Sequence, residues 1–267
     1  MWATISLGLL LLLLSFLPWP ASLLGLLGYF VYSPRKWHAL REYHAGFRWL
    51  RESHCSLSYA GRVDVLREER ARIFVFHPHG MHCIGAVLLA SDPSLTHLRI
   101  ACSSFLFWVP IVREFCAWGN AFACSRKAIE QCLASNSSVV LYPGGMNEIP
   151  AARFLSPNDL HLERRGFLRI AMEQEIDVVP CWVAGETELY TVYHPWPALQ
   201  QFCYRFFRYP WPVISLGWHW LPCLPKSRPL IVHVGEPIVV RRDGNLEEYH
   251  EQYRKAILGL QQLYRPS

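Results

Sequence analysis

No acidic or basic residue occurs in the first 34 positions of this 267-residue chain. A run that long offers water no polar face, so an ordinary surface helix is excluded there. Nothing basic precedes it, which speaks against a cleavable secretory leader. The chain also lacks any C-x-x-C pair, and its 9 cysteines are scattered and odd in number. That pattern speaks against a secreted disulfide framework and fits reduced thiols. There is no G-x-S-x-G, which removes the serine hydrolases built on a nucleophile elbow. Charge is sparse, at 18% of residues against 52% hydrophobic, with a net of +5. Disordered and collagen-like chains are excluded by that balance. The mild basic excess suits anionic lipid or a phosphorylated substrate and makes no case for nucleic acid.

What the N-terminus does contain is apolar. Residues 5–17 are leucine-rich, residues 21–32 are apolar again, and Pro18-Trp19-Pro20 lies between them. A spanning helix needs ~20 apolar residues. Each arm falls short of that, the two together exceed it, and paired prolines break a helix. Residues 1–34 therefore read as a membrane anchor. One topology is a proline-broken hairpin, the other a single kinked crossing. Arg35, Lys36, Arg41, Arg48 and Arg51 follow, and the positive-inside rule makes this flank cytosolic. Asn136-Ser137-Ser138 is a glycosylation sequon that only a lumenal domain would use, so it is expected to stay bare. Residues 35–70 read as linker helices with a turn at Ala60-Gly61, and residues 71–267 as the main domain.

In that domain short β-branched or apolar runs alternate with helical stretches. Strands are expected at 73–76, 98–102, 138–142, 178–183 and 230–234. Helices are expected at 108–118, at 126–135 with Ser125 as N-cap, and at 163–175. Tyr249, Tyr253, Ile257, Leu260 and Tyr264 make one apolar face of a last helix, with Asp243-Gly244-Asn245 as its turn and cap. The alternation predicts an α/β fold, layered around a mostly parallel or mixed sheet. Residues 190–220 are rich in aromatics and broken by prolines. They read as core, as a membrane-contacting surface or as the wall of an apolar tunnel.

Three motifs can carry chemistry. Phe76-His77-Pro78-His79-Gly80 ends the first of the domain's expected strands, where α/β sheets place ligands and catalytic groups. A histidine there can act as general base near neutral pH. Pro78 stiffens the turn and Gly80 lets the chain swing into a helix. His77, His79 and His82 also have the spacing of an H-x-H-x-D-H metal motif. Position 81 is Met, where that motif needs a carboxylate, so no metal is expected. The second motif, Gly144-Gly145-Met146-Asn147-Glu148, also follows a strand. Its glycines let backbone amides approach a ligand, and such amides can stabilise an oxyanion. Glu148 can orient a histidine or position an acceptor. The third is Arg164-Arg165-Gly166-Phe167-Leu168-Arg169, a basic helix start that can hold phosphates or form a solvated charge run.

Together these segments resemble the family of type-2 diacylglycerol acyltransferases, monoacylglycerol acyltransferases and wax synthases. The resemblance rests on FHPHG at 76–80, VREF at 112–115, GGMNE at 144–148 and RRGFLRIA at 164–171. It extends through VVP at 178–180, GETELY at 185–190 and PKSRPLIVHVGEPI at 225–238. It implies a fold resembling the glycerol-phosphate acyltransferase α/β fold. It carries the catalytic histidine to His79 with His77 as motif neighbour, and it places the glycine-glycine-glutamate block on Gly144, Gly145 and Glu148. Met146 and the supporting residue Asn147 depart from it, standing where small residues are common. Phosphate-acceptor relatives carry H-x-x-x-x-D and E-G-T-R. Here Ile84 stands five after His79, and no arginine follows Gly145 within the block, which favours a neutral acceptor.

The expected activity is acyl-CoA-dependent O-acyl transfer to a neutral lipid hydroxyl, diacylglycerol foremost, giving triacylglycerol. Monoacylglycerol or a long-chain alcohol are alternative acceptors. A lysophospholipid acyltransferase and a non-catalytic membrane lipid-binding protein are the rival readings. His79 is the expected base, with Glu148 as its orienting partner. Arg164, Arg165, Arg169, Lys226 and Arg228 are the expected contacts to acyl-CoA. No cofactor is expected besides acyl-CoA as co-substrate. The expected partners are acyl-CoA, the acceptor and membrane lipid, with homo-oligomerisation open. The expected place is the endoplasmic reticulum membrane with the domain cytosolic, or a lipid droplet.

Overall fold

A computed structural model describes residue 28 and residues 45–109, 112–148, 160–207, 213–221 and 224–263. The expected hairpin over 1–34 lies outside the described residues. Among the described residues no helix is long and apolar enough to cross a membrane.

The core is a seven-stranded sheet in the order β1-β9-β6-β2-β5-β3-β4. Its centre is β2 (Ile73–His77), every residue of which is buried. On either side run β6 (Val178–Ala184) and β5 (Ser138–Leu141), both parallel to it. Beyond β5 come β3 (Leu98–Cys102) and β4 (Ala121–Ala123), parallel again. Five carboxyl ends therefore share one edge. On the far side β9 (Ile231–Val234) pairs antiparallel to β6, and β1 (Ser58–Gly61) runs parallel to β9. The sheet is mixed, as the sequence predicts.

Side chains alternate across a strand, so β2 feeds two apolar layers. Phe74 and Phe76 enter one, with Leu88, Leu89, Val179 and Leu230. Ile73 and Val75 enter the other, with Leu168, Trp182, Tyr253 and Ile257. The first layer is covered in part by the helix Ile84–Ala90. The second is covered by Arg126–Ala134, Gly166–Gln174 and the long last helix Leu246–Leu263. The Ser125 hydroxyl caps the first of these by accepting from the Ala128 N–H at 3.3 Å. Asn245 Oδ1 accepts from the Glu247 N–H at 2.9 Å and starts the last.

Two expectations need correction. Residues 58–61, read as part of a helical linker, form β1. Their Ser-Tyr-Ala-Gly sequence has no apolar run, because an edge strand is covered on one side only. The helix expected over 108–118 is a 3₁₀ turn Ser104–Trp108 followed by a helix Val112–Trp118. The strand β4 and the two-stranded ribbon of β7 (Thr191–Tyr193) with β8 (Ile214–Leu216) are three residues each, too short to show a period.

Gly61 closes β1 at φ +75°, and a β-carbon there would sit 2.2 Å from the Val234 carbonyl oxygen. Both the left-handed backbone and the clash oppose any side chain. Gly61→Ala is expected to cost at least about 2 kcal/mol, read as a lowered unfolding midpoint. An unchanged midpoint would show that β1 contributes nothing to the sheet.

Candidate active site

The sheet's carboxyl edge gathers the motif residues. β2 ends at His77, and its chain passes through a cis His77–Pro78 bond to His79, Gly80 and the helix Ile84–Ala90. β5 is followed by the 3₁₀ turn Gly145–Glu148. β6 is followed by the turn Glu186–Glu188.

His77 is fully buried on the side of the second apolar layer. Its Nδ1 lies 2.7 Å from Glu148 Oε1 and its Nε2 lies 2.6 Å from the Tyr253 hydroxyl. With a neutral ring, Nδ1–H donates to the carboxylate and Nε2 accepts from Tyr253. Glu148 is only 2% exposed, and its Oε2 accepts the backbone N–H of His79 at 2.9 Å. Its Oε1 also accepts the backbone N–H of His161 at 3.2 Å. Burial pushes the Glu148 carboxyl up, but the His77 ring and these N–H groups outweigh it and hold it below its ordinary 4.5.

His79 is half-buried. Its Nδ1 lies 2.9 Å from the Gly80 carbonyl oxygen, so Nδ1 carries the proton and donates it there. Nε2 is left with its lone pair, and Cys83 Sγ lies 3.4 Å from it. Tyr142 packs edge-on against the ring at 5.4 Å. Burial drives the His79 pKa below its ordinary 6.5, against the Gly80 bond and the Glu148 charge. The ring is therefore neutral at pH 7, as a proton acceptor must be.

Glu148 does not touch the His79 ring. It fixes the backbone at His79 and pairs through its side chain with His77, so its contact with the expected base runs through the backbone. The physical reason is alternation: residues two apart at the strand end start on one face, but the turn after Pro78 sends the His79 ring to the other side.

The glycines also act differently from expectation. A β-carbon at Gly144 would lie 1.9 Å from Glu148 Oε1, so Gly144 makes room for the carboxylate. The Gly145 N–H donates to the Tyr142 carbonyl at 3.1 Å and is not free for an oxyanion. Gly145 has φ +52°, with Arg164 Nη1 3.2 Å from where its β-carbon would be. Asn147 shares this turn, and Pro78 is buried.

The basic residues fall into two groups. Arg164, Arg165 and Arg169 stand at the start of the helix Gly166–Gln174, which packs on the second layer. Arg165 is paired with Glu247, while Arg164 and Arg169 are exposed. Lys226 donates to Thr191 Oγ1 at 2.7 Å, and Arg228 is exposed beside Leu230 of the first layer. Among the described residues no hydrogen bond or ion pair joins the two groups.

Three residues beside the motifs had been given no chemical role. Glu186 is 2% exposed and accepts the N–H groups of Ile84 and Gly85, each at 2.7 Å. Burial pushes its pKa up to about 7 against those two bonds. A β-carbon at Gly80 would lie 2.6 Å from Glu186 Cγ, so this carboxylate packs directly under the histidine turn. Its place just beyond a strand end was the available signal. Tyr253 was legible as apolar face, and its hydroxyl's partner was not. Cys83 carried no motif at all. His82 Nε2 lies 3.1 Å from Ser215 Oγ, and burial lowers its pKa to about 3. Both ring nitrogens of His77 are engaged, and among the described residues no group of three or more His, Cys, Asp or Glu is placed to hold a metal.

An α/β domain with a neutral histidine at the carboxyl edge of its parallel strands, its tautomer fixed and its backbone held by a buried carboxylate, has the geometry that histidine-based proton transfer requires. The chain belongs to the diacylglycerol acyltransferase family, whose model matches residues 22–266. It is 27% identical over 225 residues to acyl-CoA wax alcohol acyltransferase 2 of Mus musculus, covering 71% of this chain and 64% of that one. It is 26% identical over 234 residues to diacylglycerol O-acyltransferase 2 of Danio rerio, covering 75% and 62%. The chain thus spans a little under two thirds of the length of these relatives. Among solved structures, the 1-acyl-sn-glycerophosphate acyltransferase PlsC of Thermotoga maritima aligns with a TM-score of 0.49 and 15% identity. That alignment covers 82% of this chain and 76% of that one.

Because the folded-state pKa of Glu148 lies below its ordinary value, its stabilisation is complete above 4.5 and is lost as pH falls through the folded value. The unfolding midpoint of the wild type should fall more steeply below pH 4.5 than that of Glu148→Gln. Gly144→Ala, which displaces the carboxylate from its donors, should cost about 3 kcal/mol at pH 7. Parallel acid profiles for wild type and Glu148→Gln would remove the buried anion from the account.

Proposed function

We propose that this protein is an acyl-CoA-dependent O-acyltransferase acting on a neutral lipid hydroxyl. The observation that carries the reading is His79, a neutral imidazole whose Nδ1 proton is committed to Gly80 and whose Nε2 lone pair is the basic atom. Nε2 takes the proton of the acceptor hydroxyl as its oxygen attacks an acyl thioester carbonyl. The imidazolium then protonates the departing thiolate. Glu148, through the His79 N–H, and His77 with Tyr253 behind it, keep that imidazole in place. No cofactor takes part in this scheme besides acyl-CoA as co-substrate.

Diacylglycerol is the first acceptor proposed and a long-chain alcohol the second, since relatives named for each match at nearly the same identity. The lack of an arginine after Gly145 within the second motif favours a neutral acceptor over a phosphorylated one. Arg164 and Arg169, exposed at the sheet's carboxyl edge, are proposed to meet the CoA phosphates. Arg165 would do so only by leaving Glu247.

We further propose that the domain works against a membrane, anchored by residues 1–34 at the cytosolic face of the endoplasmic reticulum or on a lipid droplet. Large aromatics stand exposed on the described surface: Trp108 and Trp220 at 71%, Phe206 at 64% and Trp196 at 61%. Trp and Phe on a surface of this kind suit the bilayer interface. The helix Pro197–Phe207 carries two of its exposed rings, Phe202 and Phe206, tilted against each other with centroids 4.6 Å apart. The segment 190–220 thereby divides between surface and core, since Tyr190 and Val192 are buried. The cytosolic placement would leave the sequon at Asn136 unused. The Asn136 amide is already bonded to the backbone, donating to the Glu69 carbonyl at 3.0 Å and accepting from the Ala71 N–H at 3.3 Å.

His79→Ala should lower acyl transfer by at least ~10²-fold while leaving the unfolding midpoint near wild type. His77→Ala should reduce activity less and stability more, because it strips a buried carboxylate of its side-chain partner. The base must be neutral and its pKa lies below 6.5, so the acid limb of kcat/KM should fall below pH 6.5. An assay of [14C]oleoyl-CoA with diacylglycerol, monoacylglycerol and long-chain alcohols reads all three. Near-wild-type transfer by His79→Ala would overturn the reading. Arg164→Ala should raise KM for acyl-CoA more than KM for the acceptor, with the difference shrinking at high salt. Equal effects on both would remove Arg164 from the CoA site.

A further inference from the structure

Cys83 precedes the helix Ile84–Ala90 and has φ 51° and ψ 45°. Only glycine adopts that region freely; a β-carbon there meets its own backbone. Such strain persists where the surroundings hold it. Here the holder is Glu186, whose two oxygens bind the N–H groups of Ile84 and Gly85, the residues directly after Cys83. Gly80 and Gly85 both lie so close to Glu186 that a β-carbon at either would come within 3.0 Å of it. The segment from Gly80 to Gly85 is thus clamped at both ends, and its geometry is imposed on Cys83.

The clamped turn presents a thiol to the base. Cys83 Sγ lies 3.4 Å from Nε2 of His79, the nitrogen that carries the lone pair. Among the described residues, Cys83 is the only side chain hydrogen-bonded to that atom. A nucleophile awaiting deprotonation needs this position. The donor substrate of the proposed function is itself a thioester, so exchange onto a second thiol replaces one thioester by another at little cost in free energy. Nucleophilic catalysis of this kind divides one difficult step into two easier ones.

Resting on the reading of this protein as an acyl-CoA-dependent transferase, we propose that Cys83 is a catalytic nucleophile that carries the acyl group as a thioester between CoA and the acceptor. In the first half, Nε2 of His79 takes the S–H proton as Sγ attacks the carbonyl of acyl-CoA. The bond from that carbonyl to the CoA sulfur breaks, and the imidazolium proton goes to the departing CoA thiolate. In the second half, the acceptor hydroxyl gives its proton to Nε2 and its oxygen attacks the acyl carbonyl on Sγ. The C–Sγ bond breaks, and the Cys83 thiolate recovers the proton. The sum is acyl-CoA plus alcohol giving ester plus CoA thiol, with no oxidant or reductant. Burial and the charges of Glu186 and Glu148 hold the thiol pKa well above its ordinary value. The His79 pKa lies below its own ordinary value, so transfer of the proton ahead of attack is uphill, and the S–H proton leaves only as Sγ bonds to the carbonyl.

The full-length protein in detergent micelles, given [14C]oleoyl-CoA without acceptor, should release about one equivalent of CoA in a burst and retain the label on protein. Neutral hydroxylamine should strip that label, and added alcohol should convert it to ester. Cys83→Gly suits the left-handed backbone, so it should fold with an unfolding midpoint at or above wild type. It should lose the label and at least ~10²-fold in turnover. Cys83→Ser should instead trap an oxygen ester that neutral hydroxylamine does not release. If wild type takes up no label and folded Cys83→Gly turns over within about threefold of it, the acceptor attacks acyl-CoA directly and Cys83 is not the carrier. The acyltransferase reading survives that result provided His79→Ala is inactive. If wild type transfers oleoyl groups to no alcohol at all, both fall.

Discussion

Glu148 is shut away from water, yet its carboxylate takes N–H donors from segments 69, 71 and 13 residues distant in sequence. An ionised carboxylate in such a place is tolerable only while those donors stay. The β2 end, the turn after β5 and the chain entering the helix Gly166–Gln174 are tied together by that requirement. Tyr253 extends the tie to the last helix through His77. Gly144 is glycine because a side chain would occupy the carboxylate's own volume. The position of His79 is thus a consequence of satisfying one buried charge.

Glu186 makes the same arrangement on the other side of the histidine turn, with a different electrostatic result. Glu148 has a side-chain partner that can carry positive charge, and its pKa lies below the ordinary value. Glu186 has only two backbone donors, burial prevails, and its pKa rises to about 7. One carboxylate holds the turn where it leaves the strand, and the other holds it where it enters the helix. Between the two anchors lie His79 and Cys83, whose contact depends on both ends staying fixed. Catalytic groups gain from such preorganisation because no rearrangement is left for the reaction step.

The outer surface has its own division of labour. The carboxyl edge of the sheet meets two exposed arginines on one side, and exposed tryptophan and phenylalanine rings stand elsewhere on the same domain. Under the proposed function, a donor with a phosphorylated, water-soluble handle and an apolar tail would use both kinds of surface.

Much of the fold was legible before any coordinates. The β-branched run at 73–76 and the apolar runs at 138–142 and 178–183 became the three central strands, because a strand buried on both faces has no polar positions to blur its pattern. The three- and four-residue spacing of Tyr249, Tyr253, Ile257 and Leu260 fixed the last helix for the same kind of reason. The strand-end places of His77, His79 and Glu148 also followed from sequence, since they come directly after such runs. Edge strand β1 and the three-residue strands did not, because half-covered or very short strands leave no period to read. What only the tertiary structure decided was pairing. Which histidine meets Glu148, which nitrogen of His79 keeps its lone pair, and that Glu186, Tyr253 and Cys83 converge on this turn depend on contacts between segments up to 176 residues apart. Local sequence specifies where a side chain can be and on which face. Its partner is set by how the sheet brings separate strand ends to one edge, and no local pattern encodes that.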